Sequence, residues 1–351
     1  MATNMRLWAA ASFLGVVAGM AIAQIKIPTT APAKHDVRPG PGVKAGLLSD
    51  YFSGIARTPG DTAVYIMEGA EPGGTVLVVG GTHANEIAGS MAAMVLVENA
   101  RVERGRLIVI PYANNSAITY QDPARSGGPR SFTVKMAGGE RTFLIGARLT
   151  RPEHQGEPDP PGAKAASQDA AMEISPRDLD RQYPGKADGN LTQRIAYAVI
   201  SLLKKENVDL AFDLHEAPPG SRMAMMVVAN PKNVELGAEA VLALEAEGLA
   251  MKLEESSSTF RGLSHREWGD ATRAKAFLFE TPNPASRKES PGDPVLDGVW
   301  PLAKRVGIHL KALRAILGAY NETVEEKGRL KIGNLPGLEE MTKAGLGAYL
   351  R

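Results

Sequence analysis

Three residues with metal-ligand chemistry stand at the ends of apolar runs. His83 and Glu86 form an H-x-x-E pair in Gly80-Gly81-Thr82-His83-Ala84-Asn85-Glu86, directly after Thr75-Val76-Leu77-Val78-Val79, and His215 follows Val208-Asp209-Leu210-Ala211-Phe212-Asp213-Leu214. Two imidazoles and one carboxylate are the ligand set of a catalytic zinc site, with one coordination position left for water. A strand buried in a parallel sheet reads as continuous Val, Ile and Leu, and such sheets collect ligands at the carboxyl ends of their strands. His83 and His215 both occupy such ends, so one sheet can join them across more than a hundred residues of chain. Phe277-Leu278-Phe279-Glu280-Thr281 offers a third strand end carrying a carboxylate. The other candidates are weaker: His35 lies in a Pro-rich stretch, His154 in a Pro- and Gly-rich segment and His309 on a predicted helix. These three read as solvated or structurally hydrogen-bonded imidazoles.

The elements that must position these residues follow from periodicity. From about Asp61 strands and helices alternate. Ala63-Val64-Tyr65-Ile66-Met67 and Thr75 to Val79 read as strands split by the turn Glu71-Pro72-Gly73-Gly74, a hairpin-like opening. Residues 86–100 carry Ile87, Met91, Met94, Val95 and Val97 in a helix-like distribution, and the first turn places Glu86 beside His83. Arg106-Leu107-Ile108-Val109-Ile110-Pro111 is the next strand, as a crossover unit requires. Helix 191–205 precedes the His215 strand, and 223–229 is a further strand. A helix over 233–251, a last core strand at 277–279 and a carboxyl-terminal helix over 300–320 complete the pattern. The expected fold is α/β, a mixed, mostly parallel sheet flanked by helices on both faces. Residues 61–320 form the catalytic domain, 24–60 a Pro/Gly-rich arm and 321–351 a carboxyl-terminal tail. Within the domain, 112–176 is irregular, with a short hairpin at 131–144. A loop this long in a compact domain is usually functional. It reads as an insertion that shapes the substrate pocket, with a decorative surface insertion as the alternative.

Taken with Arg177-Asp178-Leu179-Asp180-Arg181-Gln182-Tyr183-Pro184-Gly185, the Asp213-Leu214-His215 strand end and the late Glu280, the His83-x-x-Glu86 pair resembles the zinc carboxypeptidase-like superfamily. Within it, the likeness is to the succinylglutamate desuccinylase/aspartoacylase branch and spans residues 60–285. The resemblance implies one Zn2+ per chain held by His83, Glu86 and His215, Glu280 as general base and acid, and Arg181 as anchor of a substrate carboxylate. One position departs from the branch, where an Asn precedes that Arg and Asp180 stands here. An ionised Asp only accepts hydrogen bonds, so it pairs with Arg181 and repels a substrate carboxylate. The anchor is therefore expected to be weak, with tolerance of a neutral or cationic group at that end, or reliance on Arg177. Arg177 is itself a candidate to polarise the carbonyl or support the anchor, with a solvated surface role as the alternative. His265 and Arg266, in Ser264-His265-Arg266-Glu267-Trp268-Gly269-Asp270, are candidates to line the pocket or to form a hydrogen-bonded loop. Glu280, beside the apolar Phe279, is expected to have a raised pKa suited to both proton transfers. Capping a neighbouring helix is its alternative role, and Glu216 is the next candidate base.

A chain of 351 residues permits one large α/β domain or two small ones. Cysteine is absent, which excludes disulfide and thiolate chemistry. With 40 basic and 39 acidic residues there is no electrostatic case for nucleic acid or an anionic membrane surface. The expected partner is a small-molecule N-acyl amino acid or a short peptide. Residues 1–23 combine Arg6, an uncharged apolar run and Ala21-Ile22-Ala23 before Gln24, the pattern of a signal peptide. Export to a periplasm or beyond follows, with an uncleaved membrane anchor as the alternative because the uncharged run is long. The expected function is zinc-dependent hydrolysis of an amide bond, with an N-acyl amino acid as the favoured substrate. An exported metallocarboxypeptidase acting on peptides or cell-wall peptides is the runner-up. An inactive exported binding protein is the alternative from another class.

Overall fold

Val76, Leu77, Val78 and Val79 are fully buried, the condition of a strand with neighbours on both edges and helices over both faces. The computed structural model describes residues 25–121, 128–158, 176–287 and 289–351. The signal peptide read at 1–23, with its cleavage point, lies outside the described residues, as do parts of the 112–176 stretch. No helix among the described residues is long and apolar enough to cross a membrane.

The chain opens with β1 (Lys44–Leu47), β2 (Ala63–Glu68), β3 (Glu71–Val79), α1 (Ile87–Asn99), β4 (Arg101–Ile110) and α2 (Asn115–Ile118). A separate hairpin, β5 (Ser131–Met136) and β6 (Gly139–Leu144), leads to α3 (Leu191–Lys205), β7 (Leu210–Ala217), β8 (Met226–Ala229) and α4 (Val234–Ala246). The chain then forms β9 (Lys252–Glu255), α5 (Ser264–Ala271), β10 (Lys275–Pro282), α6 (Leu302–Thr323), β11 (Lys331–Gly333) and α7 (Leu338–Ala344). The main sheet runs in the order β1-β2-β4-β3-β7-β10-β8-β9, with β11 added to β4. Its centre, β4-β3-β7-β10, is parallel throughout. The antiparallel pairs β1–β2, β2–β4, β4–β11 and β8–β10 lie outside that centre.

The hairpin-like opening does not form. β2 and β3 both pair with β4, one antiparallel and one parallel, so β4 separates them. The Glu71-Pro72-Gly73-Gly74 stretch is part of β3 rather than a two-strand turn. A parallel neighbour buries β3 on both edges, which suits its unbroken apolar run better than an edge hairpin would.

Helices α1, α4, α6 and α7 cover one face around Phe212, Phe277 and Phe279, and α3 and α5 cover the other around Leu77, Ile195 and Trp268. α1 is buried along nearly its whole length, so its apolar residues do not confine themselves to one stripe. Its backbone rests directly on β7: a Cβ at Gly89 would lie 2.2 Å from the Leu214 carbonyl oxygen. The start of α3 is fixed by a capping box in which Asn190 accepts from the Gln193 amide and Gln193 reaches back to the Asn190 amide.

Candidate metal centre

β3, β7 and β10 are adjacent and parallel, so their carboxyl ends open on one edge of the sheet. His83 lies on the turn that leaves β3. There Gly81 adopts φ +67°, a conformation L side chains rarely adopt, and lets the chain double back toward α1. Glu86 is the N-cap residue of α1. His215 is on β7, and Glu280 sits directly across from it in the β7–β10 register.

The three strand-end residues meet. His83 Nδ1 lies 2.9 Å from Glu86 Oε1, His215 Nδ1 lies 3.0 Å from Glu86 Oε2, and the two Nδ1 atoms are 3.1 Å apart. All three side chains are buried. Each outward ring nitrogen faces an aspartate. His83 Nε2 is 2.9 Å from Asp178 Oδ1, and His215 Nε2 is 3.0 Å from Asp213 Oδ2, the latter a close contact set off the hydrogen-bond line. These partners favour a proton on Nε2 and turn the Nδ1 lone pairs inward. Thr82 Oγ1 donates to Asp213 Oδ1 at 2.8 Å, and Arg148 reaches Asp178 Oδ2 at 3.0 Å and Glu86 Oε1 at 3.3 Å.

Two imidazole lone pairs and a carboxylate this close repel one another unless a proton or a metal cation lies among them. The donor set, nitrogen and oxygen with each ligand held from behind by a carboxylate or guanidinium, fits Zn2+. The charges agree. Burial opposes ionisation of Glu86 and Asp178, yet His83 and His215 hold Glu86, and Arg148 and His83 hold Asp178, well below the usual carboxylate range. Burial would lower His215, but Asp213 and Glu86 raise it well above the usual imidazole value. The cluster thus demands positive charge at the meeting point of the Nδ1 atoms.

Glu280 is different. Its side chain is partly open while its Oε2 is enclosed and unpartnered, and burial, reinforced by the charge of Glu86, pushes its pKa up to about 8. Asp180 is buried and committed: Oδ1 accepts from the Ser264 amide at 2.7 Å, and Oδ2 is 3.3 Å from Arg181 Nη1. With Asp213 and His215 it forms a second buried group of ligand-type atoms, which shares His215 with the first. Arg181 keeps about a fifth of its side chain exposed, 22%. Arg177 donates to the Thr150 carbonyl at 3.1 Å and so ties two loops together. His265 is buried with Nδ1 unpartnered, and burial pulls it down to about 4, with Asp180 and His215 close enough to act on it. Arg266 forms an ion pair with Asp270 at 2.8 Å on α5. Glu216 points to the opposite face of the sheet, toward Arg305.

The remaining histidines are bonded into the scaffold: His35 to Asn115 at 2.7 Å, His154 to Ser116 at 2.9 Å and His309 to Thr281 at 3.1 Å. Three members of the cluster were not singled out from sequence, namely Asp178, Asp213 and Arg148. Asp178 lies in the 177–185 segment and Asp213 in the strand end Asp213-Leu214-His215, where a carboxylate two residues before a strand-end His is the available signal. Nothing local marks Arg148, which comes from the irregular stretch after β6. A separate groove of about 770 Å³ between α4, α6 and α7, bordered by Glu239, Lys311 and Arg314, touches none of these residues.

The chain matches no protein-family model and no curated protein. Solved structures do resemble it. The tripeptide-bound cell shape determinant Csd4 from Helicobacter pylori aligns at TM-score 0.50 and 13% identity, over 80% of this chain and 59% of Csd4. This chain has the fold of the aligned part of Csd4. A metallo-carboxypeptidase from Burkholderia cenocepacia aligns at TM-score 0.48 and 12% identity, over 81% and 66% of the two chains. A succinylglutamate desuccinylase from a Silicibacter species aligns at TM-score 0.43 and 18% identity, over 73% and 60%. The chain spans less than two thirds of each of these proteins' lengths.

Proposed function

We propose that this protein is a zinc-dependent amidohydrolase of the zinc carboxypeptidase-like superfamily, in the succinylglutamate desuccinylase/aspartoacylase branch, and that it removes the acyl group from an N-acyl amino acid. The observation that carries the reading is the convergence of His83 Nδ1, His215 Nδ1 and Glu86 at 2.9–3.1 Å, with Glu280 in register beside His215. His83, Glu86 and His215 would hold one Zn2+, whose contribution is Lewis acidity toward the scissile carbonyl and acidification of water to a pKa of about 7.

Glu280, partly open and with an elevated pKa, is suited to take a proton from water and return it to the departing amine. Arg148, against Glu86 at the edge of the cluster, is the group best placed to receive the negative charge that develops on the carbonyl oxygen. Arg181 remains the candidate anchor for a substrate carboxylate, but its pairing with Asp180 offsets much of its charge. His265, neutral at physiological pH, lines the same region as a hydrogen-bonding group. Arg177 ties two loops together through the Thr150 carbonyl, and Glu216 is not the base in this reading.

Peptide cleavage is the second reading, favoured by the fold shared with a protein crystallised with a tripeptide. Amine release measured over a panel of N-acyl amino acids and a panel of peptides, each with a chelated control and the His215→Ala variant, tests both. Release that survives chelation and His215→Ala would remove the zinc reading. Binding without turnover on either panel would favour the inactive binding protein.

A further inference from the structure

The N-terminus of α1 presents a conflict. An N-cap side chain ordinarily accepts from the amide of the second or third helical residue, and that bond satisfies one of the unpaired donors of the first turn. Glu86 occupies the N-cap of α1 but makes no such bond, because its carboxylate is turned to His83 and His215. The donor it abandons is taken up from elsewhere: the Ala88 amide donates to Glu216 Oε2 at 3.0 Å. The same residue grips Glu86 from the other side, its backbone amide donating to Glu86 Oε2 at 3.0 Å. One residue of β7 therefore caps α1 with its side chain and orients the cluster carboxylate with its main chain.

Glu216 is in turn held from behind. Its Oε1 is bonded to Arg305 Nη1, and both side chains are completely buried. Arg305 also donates through Nε to the Trp300 carbonyl at 3.0 Å and through Nη2 to the Pro294 carbonyl. Asn283 Nδ2 donates to the Asn85 carbonyl at 3.3 Å and approaches Glu216 Oε2 at 3.5 Å, closing the ring around the His83–Glu86 turn. A buried ion pair that replaced an apolar contact would add little stability on its own. Here it holds the helix cap that Glu86 cannot provide.

We propose that Glu216, braced by Arg305, is a positioning residue that caps α1 in place of Glu86 and so frees the Glu86 carboxylate for the metal. The inference rests on the metal reading above. Its test is zinc affinity, measured by competition with a chelating indicator on the full chain, in the wild type and in Glu216→Gln, Glu86→Ala and the double variant. Gln fits the same space but presents a donor to Arg305 or to the Ala88 amide, so it cannot serve both partners. Zinc affinity in Glu216→Gln should fall at least about tenfold, the usual cost of losing a partner that orients a ligand. In the Glu86→Ala background the same substitution should change affinity less than about twofold, because the ligand that Glu216 positions is gone. Arg305→Lys, which keeps the charge but loses the fork, should show a smaller loss with the same dependence on Glu86, and decides the matter if Glu216→Gln does not fold. Unchanged affinity in the folded variants, or equal losses in both backgrounds, would overturn the brace. A wild type that takes up no zinc, or His215→Ala binding it equally well, would instead overturn the metal reading.

Discussion

His215 and Glu216 are consecutive residues on β7, yet they serve two clusters with opposite character. His215 faces the α3 and α5 side, where Nδ1 atoms and a carboxylate converge and Glu280 Oε2, His265 Nδ1 and His215 Nε2 lack hydrogen-bond partners. Glu216 faces the α1 and α6 side, where both its oxygens are engaged, by Arg305 and by the Ala88 amide. Strand alternation sends adjacent side chains to opposite faces, so a single strand end can carry a receptive site on one side and a closed support on the other. The contrast locates chemistry by what is left unsatisfied rather than by how polar a region is. The rear is charged too, and His309 Nδ1 is unpartnered there, but both oxygens of its carboxylate, Glu216, are engaged.

The largest expected effect breaks the front cluster. His83→Ala or His215→Ala should abolish zinc and activity together while the fold persists, since the core around Phe212, Phe277 and Phe279 does not depend on them. Metal analysis with circular dichroism checks this, and stoichiometric zinc in His215→Ala would remove His215 from the site. Glu280→Gln comes next. Turnover should fall on the order of a hundred-fold or more while zinc and substrate still bind. Near-normal turnover would move the base elsewhere, and the engaged oxygens of Glu216 make it a poor successor.

A smaller effect sharpens the contrast from the rear. Burial, with Arg305 and His215 adding to it, pulls His309 down to about 3. The unfolded chain takes up a proton on this residue below a pH of about 6.5, and the native state does so only near the lowered value. Native stability should therefore fall as pH drops between about 6.5 and 3, by up to about 1.4 kcal/mol per pH unit from this residue. His309→Gln keeps a partner for Thr281 and removes the titration, so denaturant melts should show a shallower acid limb. An identical slope would mean that His309 does not stay neutral.

The smallest effect returns to the front. Both oxygens of Asp180 are committed, to Ser264 and to Arg181, so it acts on substrate chiefly through Arg181. Asp180→Asn should lower KM for a carboxylate-bearing substrate by a few-fold, about 1 kcal/mol or less for a partly exposed pair. An amide analogue should show no gain, and an equal change for both substrates would leave Asp180 without a part in charge selection.

The amino-acid sequence by itself determined the parts that local pattern encodes. The apolar runs ending at Val79 and Leu214 announce buried strands, the helical spacing after Glu86 announces α1, and His83, Glu86, His215 and Glu280 stand out because strand ends are few and those residue types at them fewer. Helix 191–205 has the same bounds in the sequence reading and in the structure, where a capping box fixes its start. What only the tertiary structure decided depends on partners distant in the chain. β4 inserts between β2 and β3 because the sheet gains a parallel neighbour for a fully apolar strand, a choice no turn signal records. Arg148 reaches Glu86 from 62 residues away, and Arg305 reaches Glu216 from 89. Charged residues at such separations carry no periodicity. Burial is what selects them, because a carboxylate removed from water must find its counter-charge wherever the fold brings one.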